Sequence, residues 1–134
     1  MSIPIAIKLG GYREDFFIYC CNYEYCWRAR NYGYKIIKNS DVLLNHQMDE
    51  DKNTGTLPKS NIVYYYAVRN NILLAKEFKD AFPSESKQRV KAAFKLRVRH
   101  TLKAQGTATN KLIRLKYILC GITDGVRGKS GKKI

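Results

Sequence analysis

The cationic side chains of this chain are concentrated in its second half. Residues 63–134 carry 17 of the 25 Lys and Arg and only 4 acidic residues, whereas residues 1–62 carry 8 basic and 7 acidic residues. Apolar residues recur at helical spacing through the basic half, which is therefore expected to fold as amphipathic helices with cations on their outer faces. This change in character predicts two regions, residues 1–60 and residues 61–134, in a chain of single-domain length.

The net charge of +14 points to the kind of partner that the basic half would meet. A positive field of this size favours a polyanion, either nucleic acid or an anionic membrane surface. The alternative is a solvated helical surface without a partner, because long cationic side chains cover the outer faces of many helices.

Composition excludes two broad classes of protein. A hydrophobic fraction of 45% with a mean hydropathy of -0.42 is too apolar for a disordered tail and too polar for an integral membrane protein. No uncharged apolar run approaches the roughly 20 residues that span a bilayer, and the first residues lack a signal peptide's features. We therefore expect a soluble or peripheral intracellular protein. Its four cysteines form no CxxC pair and are expected to be reduced thiols.

Periodicity and capping residues predict four helices. The first runs from Asn22, a favourable N-cap residue, to Tyr32, and Gly33 follows as its C-terminal stop. Gly121 is expected to end the last helix. The three helices of the basic half are expected at residues 61–79, 87–104 and 108–120.

Two short strands are expected between the first two of these helices. Residues 34–38 and 41–44 are rich in apolar residues and are separated by an Asn39-Ser40 turn. Residues 3–7, in which isoleucines alternate with other residues, are expected to be a further strand or the trimmed end of one. The predicted fold class is α+β, a short strand pair followed by a mainly helical C-terminal half.

Four short motifs follow one another along the chain. The first begins with the Gly10-Gly11 turn, passes through acidic and aromatic residues to Asn22-x-Glu24, and ends near residue 36. The other three are a Leu-x-His segment, a Tyr-Tyr-x-x-Arg-Asn segment and a closing Gly-Ile-x-Asp-Gly segment. They occupy residues 44–46, 64–71 and 120–129. In this order the motifs resemble the second half of the catalytic domain of family 2 glycosyltransferases. The most similar type is the rhamnosyltransferases and galactofuranosyltransferases of bacterial surface polysaccharides.

This resemblance implies a GT-A fold and a hexosyl transfer reaction. The parent enzyme would move a sugar from a nucleoside diphosphate sugar to a glycan or lipid-linked acceptor. The basic helices of this chain would hold it against the cytoplasmic inner face of the plasma membrane. Such enzymes begin with a nucleotide-binding βαβ half that carries an Asp-x-Asp metal motif, and no such half precedes the Gly10-Gly11 turn. The chain is therefore expected to be a C-terminal fragment that is inactive alone.

The resemblance also assigns roles to three residues. Asn22 stands where the family has the aspartate that deprotonates the acceptor hydroxyl, and Glu24 stands at the second acidic position. His46 would ligate a divalent Mn or Mg ion or contact the diphosphate in the full-length enzyme. Arg69 is a further candidate for binding the diphosphate. No cofactor is expected for the fragment itself. The plainer interpretations are a helix N-cap for Asn22, a first-turn acid for Glu24, a surface histidine for His46 and an ion-pair partner for Arg69.

Two other functions are compatible with the sequence. The helices of residues 87–116 carry enough Lys and Arg for a nucleic-acid-binding module, although Phe94 and Tyr117 are the only aromatic residues among them, which disfavours this function. A non-catalytic interaction module is the other alternative, because Asn22 cannot accept a proton at neutral pH.

Overall fold

The computed structural model describes residues 3–37, 41, 61–103 and 107–132. Within these ranges the chain forms five α-helices and one short 3₁₀ turn at Glu14–Phe16. The helices are α1 (Ile3–Leu9), α2 (Cys21–Asn31), α3 (Ile62–Glu77), α4 (Pro83–Lys103) and α5 (Ala108–Arg127). The last three occupy the basic half, where helical periodicity predicts helices.

The expected α+β class is wrong, because the described ranges are helical and contain no strand. Residues 34–37, the greater part of the first expected strand, follow α2 as irregular chain. The N–H of Tyr34 donates to the carbonyl of Ala29 at 3.0 Å, so the backbone of Tyr34 helps to close the C-terminal end of α2. Ile37 is 83% exposed. A strand pair without a larger sheet is marginal. Residues 42–44 of the second expected strand lie outside the described ranges.

The segment expected as a strand at the start of the chain is also helical. In α1, Ile5 and Leu9 are four residues apart and pack against Tyr25 of α2. Ile3 and Ile7, each 75% exposed, lie on the other face. Ile3 with Ile7, and Ile5 with Leu9, therefore form two pairs at the i, i+4 spacing of a helix, and the prediction of a strand from the alternating isoleucines overlooked them.

Of the two predicted ends of α2, the N-terminal end is wrong and the C-terminal end is confirmed. The N-cap is Cys20 in a left-handed conformation, with φ of 67°, so the N-cap role expected for Asn22 is wrong and Asn22 lies within the first turn. The predicted stop at Gly33 is confirmed. Its φ of 84° and the hydrogen bonds from the N–H groups of Gly33 and Tyr34 back into the last turn close the helix in a Schellman motif.

Helix α3 is the centre of the described structure. Residues 64–71 are all buried, because the loop before α2, α4 and α5 surround this helix. The predicted end of α5 at Gly121 is wrong, since the helix continues to Arg127 and Gly128 caps it with φ of 76°. Gly121 and Gly125 are needed instead where α5 crosses α3 at close range.

An aromatic cluster joins α2 to the C-terminal end of α3 and the following turn. Trp27 packs edge-on against Phe78 with ring centroids 5.8 Å apart, and Phe82 lies 5.4 Å from the same indole. Pro83 then occupies the first position of α4, where its missing N–H costs nothing. None of the helices in the described ranges combines the length and the apolar character that crossing a bilayer requires.

Candidate functional site

The loop that leads into α2, residues 16–20, has an uncommon backbone conformation. Phe17, Tyr19 and Cys20 have φ values of 58°, 66° and 67°. Residues with a Cβ rarely adopt positive φ, and each one costs on the order of 1–3 kcal/mol where its surroundings enforce it. We call residues 16–20 the entry loop. Three strained residues so close together require neighbouring structure that holds the loop in place.

Asn70 of α3 supplies most of this restraint. Its amide nitrogen donates to the carbonyl oxygens of Phe16 at 2.9 Å, Ile18 at 2.6 Å and Tyr19 at 2.9 Å. The side chain is completely buried, so these bonds form where water does not compete. Its own carbonyl oxygen accepts from Arg69 Nε at 2.8 Å, which fixes the orientation of the amide.

Arg69 extends the same restraint to the C-terminal end of the described chain. The guanidinium donates to the carbonyl of Gly131 at 2.6 Å and to the carbonyls of Phe16 and Asp15 at 3.3 and 3.4 Å. It lies 4.7 Å from the ring centroid of Tyr66 and is 1% exposed. The predicted diphosphate ligand is thus enclosed in the described structure, where its donors position the entry loop.

Asn22 is placed very differently. It is exposed in the first turn of α2 and lines a pocket of about 310 Å³. A carboxamide there can exchange hydrogen bonds with a hydroxyl group but cannot remove its proton. The other lining residues come from the chain just after the Gly-Gly turn, from the entry loop and from the start of α2. They are Tyr12, Arg13, Glu14, Phe17 and Cys21.

Glu24, the second predicted catalytic acid, is completely buried and is not among the residues that line this pocket. Arg28 holds both of its oxygens, with Nε to Oε1 at 2.8 Å and Nη2 to Oε2 at 3.0 Å. The same guanidinium donates to the carbonyls of Leu9 and Gly11. The Glu24–Arg28 pair therefore ties the Gly10-Gly11 turn to α2, which is a structural role.

Arg13 forms a second charged bridge at the edge of the pocket. It contacts both oxygens of Asp15, at 3.0 and 2.7 Å, and both oxygens of Glu77 at 2.6 Å. Its hydrogen bonds hold the pKa of Asp15 below its ordinary value, and the two acids in turn raise the pKa of Arg13. Both effects favour the ionised pair at neutral pH.

The closing motif of the sequence folds back onto the same region. The hydroxyl of Tyr65 donates to Asp124 at 2.9 Å, and burial raises the pKa of this tyrosine. The N–H of Gly131 donates to the carbonyl of Asp15 at 2.5 Å. The motif on α3 therefore contacts both the first motif, through Asn70, and the closing motif, through Tyr65.

A larger groove, of about 570 Å³, lies between α2, α3 and α4. Arg89 stands over the ring of Tyr23 at 3.5 Å from its centroid and donates through Nε to Asn71 at 3.1 Å. Cys20 borders the groove, and burial raises the pKa of its thiol to about 11. Sequence reasoning missed Arg89, because nothing in the sequence links α4 to a tyrosine 66 positions earlier.

The described residues do not fit a metal ion. In this part of the chain, no three His, Cys, Asp or Glu side chains come together in a group that could hold one. Glu24 and Asp15 are engaged by arginines. His46, the predicted metal ligand, lies outside the described ranges.

Comparison with known proteins gives no relative. No family model, no curated protein and no solved structure matches this chain.

Proposed function

We propose that this chain supplies the acceptor-side part of a glycosyltransferase. The complete enzyme would transfer a sugar from a nucleoside diphosphate sugar to a glycan or lipid-linked acceptor, at the cytoplasmic inner face of the plasma membrane. One observation carries the proposal. The motif on α3 contacts two other motifs, since Asn70 donates to the segment that leads into Asn22 and Tyr65 donates to Asp124.

Restraint of the entry loop is useful to such an enzyme because the loop sets the position of Asn22. A group that binds or activates a hydroxyl must be held within about half an ångström of its working position. Asn70 and Arg69 fix the backbone of the loop, and Asn22 follows it by two residues. Asn22 is exposed to solvent in this pocket, so an acceptor can reach its carboxamide.

The proposed role of Asn22 is to orient the acceptor rather than to deprotonate it. Its carboxamide oxygen can accept a hydrogen bond from an acceptor hydroxyl, and Tyr12 and Phe17 offer aromatic surface to a sugar ring. A divalent ion would offset the charge of the leaving diphosphate when bound. The described residues do not form a site for such an ion.

Acceptor binding can be measured on the chain itself. The ¹⁵N-labelled protein is titrated with a short-chain alkyl diphosphate carrying N-acetylglucosamine, and amide shifts are followed by NMR. We expect saturable shifts at Tyr12, Phe17 and Asn22, and about fivefold weaker binding for Asn22→Ala, the weight of one neutral hydrogen bond. Asn110→Ala, at an exposed position of α5, is the matched control and should bind as the parent does.

A second assay tests the expectation that the donor site is incomplete. Incubation with Mn²⁺ and a panel of UDP-, GDP- and dTDP-sugars should release no nucleoside diphosphate above the blank. Saturable turnover of one donor by this chain alone would contradict the proposal. So would acceptor-induced shifts that are absent at the Asn22 pocket.

A further inference from the structure

Helix α4 carries two parallel rows of residues at a spacing of four. The first row is cationic, and all five of its members are exposed. The second row precedes the first by one residue at each step and is apolar after its first member. The cationic row is Lys87, Lys91, Lys95, Arg99 and Lys103, and the second row is Ser86, Val90, Phe94, Val98 and Leu102. Residues four apart form a continuous ridge on a helix, so α4 presents a basic ridge beside an apolar ridge.

The apolar ridge borders two shallow grooves of about 560 Å³ each. The grooves share Phe94 and Lys91 and so form one continuous depression along α4. Ile72 of α3 contributes to the wall of the first groove. Phe94 is 45% exposed and Leu102 is 62% exposed. We call the two ridges and their grooves the α4 surface.

The charge around this depression has a single sign along α4. Between Lys87 and Lys103 the helix has no acidic residue. Glu85, in the first turn, lies 3.5 Å from Arg30 of α2, which reduces its effect on the ridge. Lys79, two residues after the end of α3, adds another cation at the edge of the first groove. A partner for this surface must therefore combine negative charge with an apolar interior.

We propose that the α4 surface docks on an anionic lipid bilayer. Phe94 and Leu102 enter the boundary between headgroups and acyl chains, while the ridge cations contact lipid phosphates through their flexible stems. Each Lys or Arg close to such a membrane strengthens binding about fivefold. A second copy of this chain would bring like charges together. Nucleic acid would leave the apolar ridge unused. The inference rests on the α4 surface and does not depend on the proposed glycosyltransferase function.

Vesicle binding tests this inference directly. The full chain is sedimented with vesicles of phosphatidylcholine alone and with vesicles of phosphatidylcholine and phosphatidylglycerol. We expect binding only to the anionic vesicles, and a steep fall between low and physiological salt as the Debye length contracts to about 8 Å. Equal binding to neutral vesicles, or no binding at any salt, overturns the proposal.

Two pairs of variants locate the binding surface. Lys91→Gln with Lys95→Gln should weaken binding about thirtyfold, whereas Lys8→Gln with Lys35→Gln, which remove the same charge elsewhere, should have little effect. Phe94→Ser with Leu102→Ser should also weaken binding. Their control is Ile7→Ser with Ile37→Ser, at positions that are 75% and 83% exposed.

Each of the other occupants gives a different pattern. Equal losses of vesicle binding in a variant pair and its control would show that net charge or non-specific hydrophobic adsorption causes the binding. That result would overturn the proposed role of the α4 surface. Retention on duplex DNA that depends on Lys91 and Lys95 but not on Phe94, without vesicle binding, would identify a nucleic-acid surface. A dimer in analytical ultracentrifugation that Phe94→Ser dissociates would identify self-association. The DNA result and the dimer result would each overturn the proposal. Circular dichroism establishes that each variant is folded.

Discussion

Gly121 and Tyr65 lie where the backbones of α5 and α3 approach most closely. A Cβ added to Gly121 would lie 2.6 Å from the carbonyl oxygen of Tyr65, a distance that real Cβ atoms do not adopt. One turn later, a Cβ on Gly125 would lie 2.9 Å from the side chain of Ile72. This close crossing holds α5 against the helix that carries Asn70 and Arg69.

Replacement of Gly121 tests the importance of the crossing. Gly121→Ala should lower the free energy of unfolding by about 1–3 kcal/mol, because the obstacle is backbone and the helices must separate. At a helix position without such an obstacle, replacing glycine with alanine stabilises the protein by about 1 kcal/mol, so destabilisation would indicate the close crossing. Urea denaturation provides the measurement, with Thr123→Ala at an exposed position of the same helix as control. A stabilised Gly121→Ala variant would refute the close crossing.

Asn70 can be tested by an almost isosteric change. Asn70→Asp replaces the donor of three hydrogen bonds with an oxygen that faces the carbonyls of the entry loop. We expect a loss of about 2–3 kcal/mol in the free energy of unfolding, together with faster amide hydrogen exchange in residues 16–20. Asn110→Asp makes the same chemical change in the first turn of α5 and should be neutral or slightly stabilising. Equal effects at both positions would argue against the restraint.

The pKa shift of Asp15 predicts a pH dependence. Since Arg13 lowers this pKa in the folded state, the unfolded chain binds a proton first as the pH falls, and stability is lost. The loss should begin near the ordinary aspartate value of about 3.9 and continue below it. Asp15→Asn should make this decline shallower and cost less than about 1 kcal/mol at neutral pH, because the pair is partly exposed. Asp80→Asn, at an exposed position, controls for net charge. An unchanged acid profile in Asp15→Asn would contradict the assignment.

Local sequence signals predicted some elements and not others. The stop at Gly33 was predictable, because a glycine with positive φ after a helix is a local requirement. Gly121 resembles a helix stop in the sequence, but the structure requires glycine there for a different reason. Its lack of a side chain allows close contact with residue 65 of another helix. The feature of the sequence that indicates a helix crossing is the pair of glycines four residues apart, Gly121 and Gly125.

The sequence predicted residues of the candidate site but not whether each of them is buried or exposed. Asn22 and Glu24 are two positions apart, yet one is exposed and the other is completely buried beside Arg28. A helix turns about 200° over two residues, so the two side chains lie on different faces, and the segments that pack against α2 decide which face is buried. The entry loop before α2 is held by Asn70, a contact over about 50 positions that no local pattern encodes. The α4 ridges, in contrast, are readable from sequence as cations at every fourth residue.

The proposed function predicts a gain of activity at Asn22. In an enzyme that joins this chain to a nucleotide-binding half, Asn22→Asp would place a carboxylate in the exposed first turn of α2, where the helix dipole keeps it ionised. A general base contributes a factor of about 10²–10⁴, so the transfer rate should rise by up to that amount. Release of nucleoside diphosphate with and without acceptor measures the change.

Glu24→Gln is the comparison that separates catalysis from folding. Because the change removes the buried charge that neutralises Arg28, whose side chain is 15% exposed, we expect a loss of about 3 kcal/mol in stability. Any fall in turnover should therefore accompany unfolding and should be recovered at lower temperature, where more of the protein is folded. If Glu24→Gln instead abolished turnover while melting at the parent temperature, and Asn22→Asp changed nothing, Glu24 would be the base and Asn22 would have no part in the reaction.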